Sequence, residues 1–322
     1  MRFIGDDGIK QLFSILAQDF EVWGVNSEGR WAPIKEVDLS LPKGKLPLKE
    51  AYLPQVERIL RYEGNQMIEE FYTGKIAVFG ARPCDIKGVE LIGLTFLGEP
   101  EDPYFKRRRE ESFVVGVGCP SPADTCFCKS MGTGPFDTAG MDIRLIPQDG
   151  GWLCEGITDR GKAVVERLTA EERDVDLNEM RTKAEEKVSS VNAEGVYERL
   201  KGAYDIDLWD RLGERCLGCG VCTFVCPTCY CFDIRDVAVK QDKGERLRLW
   251  DSCMFPMYTL ETSGHNPRPT QRERMRQRIM HKFAYYPELY GEYGCTGCGR
   301  CVIYCPAGID VRETISEIRS AK

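Results

Sequence analysis

The stretch that organises this sequence is Cys216-Leu-Gly-Cys219-Gly-Val-Cys222-Thr-Phe-Val-Cys226-Pro227, and its spacing recurs in Cys295-Thr-Gly-Cys298-Gly-Arg-Cys301-Val-Ile-Tyr-Cys305-Pro306. Both follow the pattern C-x2-C-x2-C-x3-C-P, which binds [4Fe–4S] clusters in bacterial-type ferredoxins. Three thiolates on a short, glycine-containing loop can reach three irons of one cube, and the cysteine before proline ligates the other cluster. The spacing therefore predicts two clusters, with ligands Cys216, Cys219, Cys222 and Cys305 for the first and Cys295, Cys298, Cys301 and Cys226 for the second.

Two other uses of cysteine fit the pattern less well. Zinc ribbons contain C-x2-C pairs, but they need two pairs rather than two four-cysteine runs that end in Cys-Pro. Disulfides form in oxidising compartments, and the first residues, Met-Arg-Phe-Ile-Gly-Asp-Asp, lack the apolar core of a signal peptide. Iron–sulfur binding in a reducing cytoplasm is the interpretation we adopt.

Length and composition limit the remaining possibilities. A chain of 322 residues suggests about two domains, because one core usually serves roughly 100–200 residues. No apolar run approaches the ~20 residues of a membrane span. The net charge of −7 disfavours nucleic acid as a partner. Sixteen cysteines without a secretion signal indicate metal binding, and two histidines make a histidine-rich metal site a poor candidate.

The pattern of apolar residues predicts an α+β protein. Strands alternating with helices indicate an α/β domain over residues 1–165, with buried strands near 75–80 and 112–117. Residues 166–204 are expected to be a helical linker, whose helix opens with the capping-box pattern of Thr169 and Glu172. Residues 205–322 then form a mostly helical ferredoxin-type domain, in which residues 227–294 are a long insertion between the cysteine runs.

Four further cysteines follow predicted strands, at the loops where α/β folds collect ligands. Such a set could hold a third [4Fe–4S] cluster. They could equally be buried as small hydrophobic residues or line an interface. The four residues are Cys84, Cys119, Cys126 and Cys128.

The last four cysteines lie outside these three sets. Cys229 and Cys231 follow the first run directly, and Cys253 ends the tetrapeptide Trp-Asp-Ser-Cys. They could tune the adjacent cluster through S–H···S contacts, form a reactive dithiol, or simply pack beside the cluster. Cys154 lies in a strand-like segment and is expected in the core.

Residues 264–282 are basic, with six arginines and lysines against the single acid Glu273. Such a segment is commonly a solvated helix face, and it could also be a docking surface for an acidic partner. Nucleotide-binding motifs are missing, because the sequence contains neither G-x-x-x-x-G-K-[ST] nor G-x-G-x-x-G. We therefore expect nicotinamide cofactors to bind a partner.

Six motifs occur together in residues 75–315. They are Phe79-Gly-Ala-Arg-Pro-Cys-Asp85, Cys126-Phe-Cys-Lys-Ser-Met-Gly132, Cys226-Pro-Thr-Cys-Tyr-Cys-Phe-Asp233, Trp250-Asp-Ser-Cys253, Gly264-His-Asn-Pro-Arg268 and Cys298-Gly-Arg-Cys301. Together they resemble the iron–sulfur β subunits of cytoplasmic sulfhydrogenases and the A subunit of anaerobic sulfite reductase, and the resemblance covers most of this range. The family implies an electron-transfer subunit between a flavin (FAD) and [2Fe–2S] subunit that handles NAD(P)H and a catalytic oxidoreductase subunit.

Three functions are compared. An electron relay within a multi-subunit oxidoreductase is the leading hypothesis, because iron–sulfur proteins act by fixing distances and potentials. The alternative is an enzyme that reduces a sulfur compound or disulfide at its own surplus thiols. An iron–sulfur sensor that binds nucleic acid is the third, and the net acidity disfavours it.

Overall fold

The computed structural model describes residues 1–39 and 44–320, and it has the mixed α and β architecture that the sequence predicts. Strands are concentrated in the first half of the chain and helices in the second. The strands among the described residues are β1 (Arg2–Ile4), β2 (Glu21–Val25), β3 (Trp31–Pro33), β4 (Val56–Glu63), β5 (Gln66–Glu69), β6 (Ile76–Ala81), β7 (Phe113–Val117), β8 (Ile143–Gln148), β9 (Gly151–Gly156), β10 (Glu171–Glu172), β11 (Phe232–Lys240) and β12 (Lys243–Trp250).

Helices cover the first sheet and build the second half. They are α1 (Asp6–Leu16), α2 (Lys49–Tyr52), α3 (Pro83–Phe96), α4 (Pro103–Glu110), α5 (Asp159–Glu166), α6 (Leu177–Glu186), α7 (Val196–Leu200), α8 (Leu208–Arg215), α9 (Val221–Phe224), α10 (Gln271–Met280), α11 (Tyr286–Tyr290), α12 (Arg300–Ile303) and α13 (Val311–Ser320). A π-helical turn, His281–Tyr285, joins α10 to α11.

The first sheet has eight strands in the order β10-β1-β9-β8-β7-β6-β2-β3. Its centre is parallel, since β2 pairs with β6, β6 with β7, and β7 with β8 in the same direction. β6 and β7 are almost entirely apolar and buried, as expected for parallel strands covered on both faces. The sequence predicts both strands correctly, and their carboxyl ends lie side by side.

The second sheet, in the order β11-β12-β4-β5, joins two hairpins that are far apart in the sequence. β12, from the predicted insertion, pairs along its length with β4 from the first 70 residues. Arg248 on β12 forms buried ion pairs with Glu57 on β4 and with Asp102. Strand pairing thus crosses the predicted domain limits at 165 and 205, and the division into domains stays a prediction.

The predicted linker contains more structure than one helix. Residues 171–172 pair with β1 as strand β10, so the predicted capping box at Thr169 and Glu172 is wrong. The helix begins at Leu177 instead, where the Asp176 carboxylate accepts hydrogen bonds from two amides of the first turn. A capping box does occur at α10, between Thr270 and Glu273.

The core of the second half lies between α7, α8, α10 and α13. Its fully buried side chains include Trp209, Phe283 and Ile315. Phe127 and Met131, from the loop after β7, belong to the same apolar cluster. Packing therefore holds that loop against the two cysteine runs.

Candidate functional site

The first cysteine run forms a short loop between α8 and α9. Gly218 and Gly220 have φ of +66° and +75°, a backbone conformation that glycine adopts without strain. The Gly218 amide donates a hydrogen bond to the Cys216 sulfur at 3.4 Å. The loop surrounds a cavity of about 540 Å³. All four predicted ligands of the first cluster line it, namely Cys216, Cys219, Cys222 and Cys305.

The second run repeats this geometry between residue 295 and α12. Gly297 and Gly299 have φ of +63° and +72°. The Gly297 amide donates to the Cys295 sulfur, again at 3.4 Å. A second cavity, of about 340 Å³, is lined by the whole predicted second set, Cys295, Cys298, Cys301 and Cys226. Each run thus contributes three cysteines to its own cavity and one to the other.

The arrangement of these thiols fits a cubane better than a single ion. In the described part of the chain, no three His, Cys, Asp or Glu side chains converge closely enough to bind one metal ion. The cysteines instead surround a volume, as ligands of four separate irons must. Two buried polar atoms, Arg278 Nε and Thr296 Oγ1, lie at the second cavity without a hydrogen-bond partner among the described residues. Cluster sulfides accept such hydrogen bonds.

Arg278 and Cys301 line both cavities. Arg278 is buried in α10, where burial lowers the pKa of its guanidinium, but Cys222 and Cys301 outweigh this effect and raise it. A fixed positive charge therefore lies between the two sets of thiols. Such a charge offsets the cost of gathering thiolates in a low dielectric.

Lys282 gives the second cavity a further buried cation. Its ammonium donates to Cys226 Sγ at 3.3 Å, Thr228 Oγ1 at 2.7 Å and the Gly294 carbonyl at 2.8 Å. Burial lowers the pKa of Lys282, but the thiols of Cys226, Cys229 and Cys295 raise it by more. The lysine is therefore charged and points at a predicted ligand.

Lys49 reaches the same region from α2. It donates to the Cys229 carbonyl at 2.6 Å and lies 4.0 Å from the centre of the Trp250 ring. Burial lowers the pKa of Lys49 to about 8. The neighbouring Cys229 thiol lowers the pKa of Cys226. Cys229 thus influences a predicted ligand electrostatically, and an S–H···S contact between them stays a prediction.

The third set of cysteines also comes together. Cys84 opens α3 directly after β6 and Cys119 follows β7, so both lie at the carboxyl edge of the parallel sheet. Cys126 and Cys128 come from the loop that packs against the second run. All four line a cavity of about 1230 Å³ together with Arg82 and Arg300. The fold thus gathers in one cavity four thiols whose first and last members, Cys84 and Cys128, are 44 positions apart in the sequence.

The third cavity shares a wall with the second, because Cys298 lines both. The Phe127 amide donates to the Gly297 carbonyl at 2.8 Å, and the Cys126 thiol contacts the Cys298 carbonyl at 3.7 Å. A Cβ on Gly297 would lie 2.5 Å from the Phe127 backbone. Glycine is therefore required there for a second reason, the close approach of the two loops.

Cys231 and Cys253 lie beside each other and line none of the three cavities. Cys253 and the Tyr258 hydroxyl both lower the pKa of the Cys231 thiol. Cys154 is buried in β9, where burial raises the pKa of its thiol to about 12. The core position expected for Cys154 is confirmed.

The basic segment at residues 264–282 is less exposed than the sequence predicts. Arg274, Arg276, Arg278 and Lys282 are buried, so the interpretation as a solvated face or docking surface is wrong for these four. Residues 274, 278 and 282 recur every four positions and thus share one helix face with apolar neighbours. That spacing was the available signal for cations that point inward. Nothing in the sequence indicated Lys49.

Residues 215–309 match the family described as "4Fe-4S dicluster domain". This match defines the class, a protein with a two-cluster iron–sulfur domain. Over 324 aligned residues, the chain is 35% identical to sulfhydrogenase 2 subunit beta of Pyrococcus furiosus, covering 96% of this chain and 95% of the relative. The chain belongs to the family of sulfhydrogenase β subunits, and it is an iron–sulfur subunit of an oxidoreductase.

No solved structure matches the chain. Within the described residues, no helix combines the length and the apolar character needed to cross a bilayer.

Proposed function

We propose that this chain relays electrons between a flavin- and NAD(P)-binding partner and a catalytic subunit of a cytoplasmic oxidoreductase complex. The observation that carries the proposal is the contact between successive cavities. Cys301 and Arg278 line the first and second cavities, and Cys298 lines the second and third. Three sets of four thiols therefore form one continuous series across the molecule.

The ligand assignment follows from the lining of each cavity. Cys216, Cys219, Cys222 and Cys305 would hold the first [4Fe–4S] cluster, and Cys295, Cys298, Cys301 and Cys226 the second. Cys84, Cys119, Cys126 and Cys128 would hold a third. When bound, such clusters supply one-electron redox chemistry at potentials that the surrounding protein sets.

The side chains of this protein have the charges and hydrogen bonds needed to set those potentials. The amides of Gly218, Gly297 and Ile309 donate to sulfurs of Cys216, Cys295 and Cys305. Buried Arg278 and Lys282 add positive charge beside the first and second sets. Both effects favour the more negative, reduced state and so raise the potential.

The two ends of the series provide access for two partners. Cys219 is exposed at the first cavity, and its neighbour Leu217 is 66% exposed. At the other end the third cavity is bordered by Ile303, which is 50% exposed. A relay needs a donor contact and an acceptor contact, and the relative's name marks that protein as one subunit of a sulfhydrogenase. All sixteen cysteines are unbridged, which suits a reducing cytoplasm.

Anaerobic iron counting tests the ligand sets directly. We expect about twelve irons per wild-type chain, because each cubane holds four, and about eight in Cys119→Ser. Cys154→Ser is the matched control, since that cysteine is buried in β9 outside all three cavities, and it should keep about twelve. About eight irons in both the wild type and Cys119→Ser would refute the third cluster. Iron near zero after reconstitution would refute the relay.

Co-purification tests the partners. The chain isolated anaerobically from its source should bring down a flavoprotein and a further oxidoreductase subunit. With an artificial electron donor, it should show by itself none of the oxidoreductase activity of the catalytic subunit. A complex without flavin would contradict the proposed donor.

A further inference from the structure

The hairpin of β11 and β12 brings Cys231 and Cys253 together from opposite strand ends. Phe232, the first residue of β11, pairs with Trp250, the last residue of β12. The Asp251 amide then donates to the Cys231 carbonyl at 2.9 Å. This register extends the hairpin by one residue at its open end. It leaves the two thiols close enough for each to shift the pKa of the other.

Three groups beside the Cys231 sulfur lower the pKa of its thiol. They are the Cys253 thiol, the Cys253 backbone amide and the Tyr258 hydroxyl. The Cys253 thiol has the largest influence, and together they lower the pKa of Cys231 to about 6, although partial burial raises it. The same contact raises the pKa of Cys253. Cys231 is therefore the thiolate of the pair at neutral pH, and Cys253 keeps its proton.

The two cysteines also differ in their exposure to solvent. Cys231 is partly exposed, whereas Cys253 is buried. A thiolate that solvent can reach, backed by a buried thiol, is the arrangement of an attacking and a resolving cysteine.

We propose that Cys231 and Cys253 form a redox-active dithiol that reduces small organic disulfides. The Cys231 thiolate attacks one sulfur of the disulfide RSSR, which forms a mixed disulfide and releases RS⁻. Cys253 loses its proton and attacks the Cys231 sulfur, which forms the Cys231–Cys253 disulfide and releases a second RS⁻. Two electrons and one proton then restore the Cys231 thiolate and the Cys253 thiol, and the two RS⁻ take up two protons, one of them the proton that Cys253 lost. Each cycle converts one RSSR into two thiols.

The position of the pair suits reduction by the iron–sulfur centres. Met254, next to Cys253, lines the first cavity. The Thr223 hydroxyl, next to Cys222, donates to the Ser252 hydroxyl at 2.8 Å. The loop that carries Cys253 is thus packed directly on the loop that carries a predicted cluster ligand. The inference rests on the proposed function only for the source of the two electrons.

The other surplus cysteines are not equivalent. Cys229 lowers the pKa of Cys226, a predicted cluster ligand. Cys154 lies in the core of the first sheet, 1% exposed. Among the four surplus cysteines, Cys231 and Cys253 are therefore the pair to test.

Disulfide mapping on the complete, anaerobically purified chain tests the dithiol. The probe is 4,4′-dithiodipyridine, and peptides are identified by mass spectrometry. Wild-type protein should yield a peptide linked between Cys231 and Cys253, with iron content unchanged. Cys253→Ser should stop at the mixed disulfide on Cys231, and Cys231→Ser should leave Cys253 unmodified. The control Cys154→Ser should behave as wild type. Absence of the linked peptide in wild-type protein overturns the inference.

The pH dependence of alkylation tests the asymmetry without loss of either thiol. Alkylation of Cys231 by iodoacetamide should have a midpoint near pH 6. Tyr258→Phe removes the hydroxyl, and a shift of one unit would slow the reaction about fivefold at pH 6. A midpoint near the ordinary thiol value, about 8.5, would contradict the role of Cys231.

Iron content separates this inference from the proposed function. Loss of iron in Cys231→Ser would make Cys231 a cluster ligand and overturn the dithiol, while the relay would stand. Iron near zero in wild-type protein would overturn the relay, while the disulfide map would still decide the dithiol.

Discussion

Arg300 and Asp85 form an ion pair at 2.8 Å, with both side chains 1% exposed. Arg300 lies in the second cysteine run, between Cys298 and Cys301, and Asp85 follows Cys84 in the third set. The arginine also donates to the Gly44 carbonyl at 2.9 Å. This ion pair therefore joins the walls of the second and third cavities, although its two residues lie 215 positions apart in the sequence.

We expect Asp85→Asn to destabilise the chain by about 3–5 kcal/mol, because it leaves the Arg300 charge buried without its counter-ion. The free energy of unfolding in urea, measured anaerobically, checks this. Asp236→Asn is the control, since it removes the partner of Arg246 on the exposed strand β11, and it should change nothing measurable. Equal losses in the two variants would contradict the structural importance of the buried pair.

Gly297→Ala should destabilise the chain by about 1–3 kcal/mol more than Gly218→Ala. The two glycines hold the same position in the two runs and have nearly the same positive φ. Alanine would therefore strain the backbone about equally at both positions. Only at Gly297 would the added Cβ collide, 2.5 Å from the Phe127 backbone; at Gly218 the nearest atom is 3.6 Å away. Urea midpoints of the two variants measure the difference. Equal midpoints would show that the loops do not pack as described.

Lys282→Met should lower the potential of the proposed second cluster by about 60–130 mV, which corresponds to ~1.5–3 kcal/mol for one charged hydrogen bond and one electron. The reduced cluster carries more negative charge than the oxidised one, so removal of the ammonium beside Cys226 destabilises the reduced form more. Redox titration followed by EPR measures the shift. Lys240→Met, which removes an exposed charge on β11, should leave the potential within error. A similar shift in both variants would refute a local effect.

His281 should make the protein less stable as the pH falls from about 6.5 toward 4. Burial, with Lys282 and Arg268 nearby, lowers the pKa of folded His281 to about 4, whereas the unfolded chain has about 6.5. Between these values the unfolded chain binds a proton that the folded chain does not. Stability therefore decreases as the pH is lowered, by at most about 1.4 kcal/mol per pH unit from this group.

The slope of the unfolding free energy between pH 7 and 5 measures this effect. His281→Gln should flatten the slope, because glutamine does not titrate. His265→Gln alters the other histidine, which lies in an exposed loop, and should keep the wild-type slope. An unchanged slope in His281→Gln would contradict the burial of a neutral imidazole.

The sequence by itself determined the features that depend on close spacing. Residues two or three apart in each cysteine run, with glycine between them, define loops whose geometry follows from local backbone preference. Buried strands such as β6 and β7 follow from short apolar segments in the same way. In the third set, the parallel order of β6 and β7 brings Cys84 and Cys119 to one sheet edge, and the loop packed against the second run adds Cys126 and Cys128.

Only the tertiary structure decided the contacts between distant segments. The pairing of β4 with β12, the approach of Lys49 and the choice of Cys253 as partner of Cys231 depend on packing across many residues. Spacing along the chain carries no record of such contacts, because they are selected by burial and charge in the folded molecule. For that reason the sequence predicted where thiols occur, and the fold determined what surrounds each one.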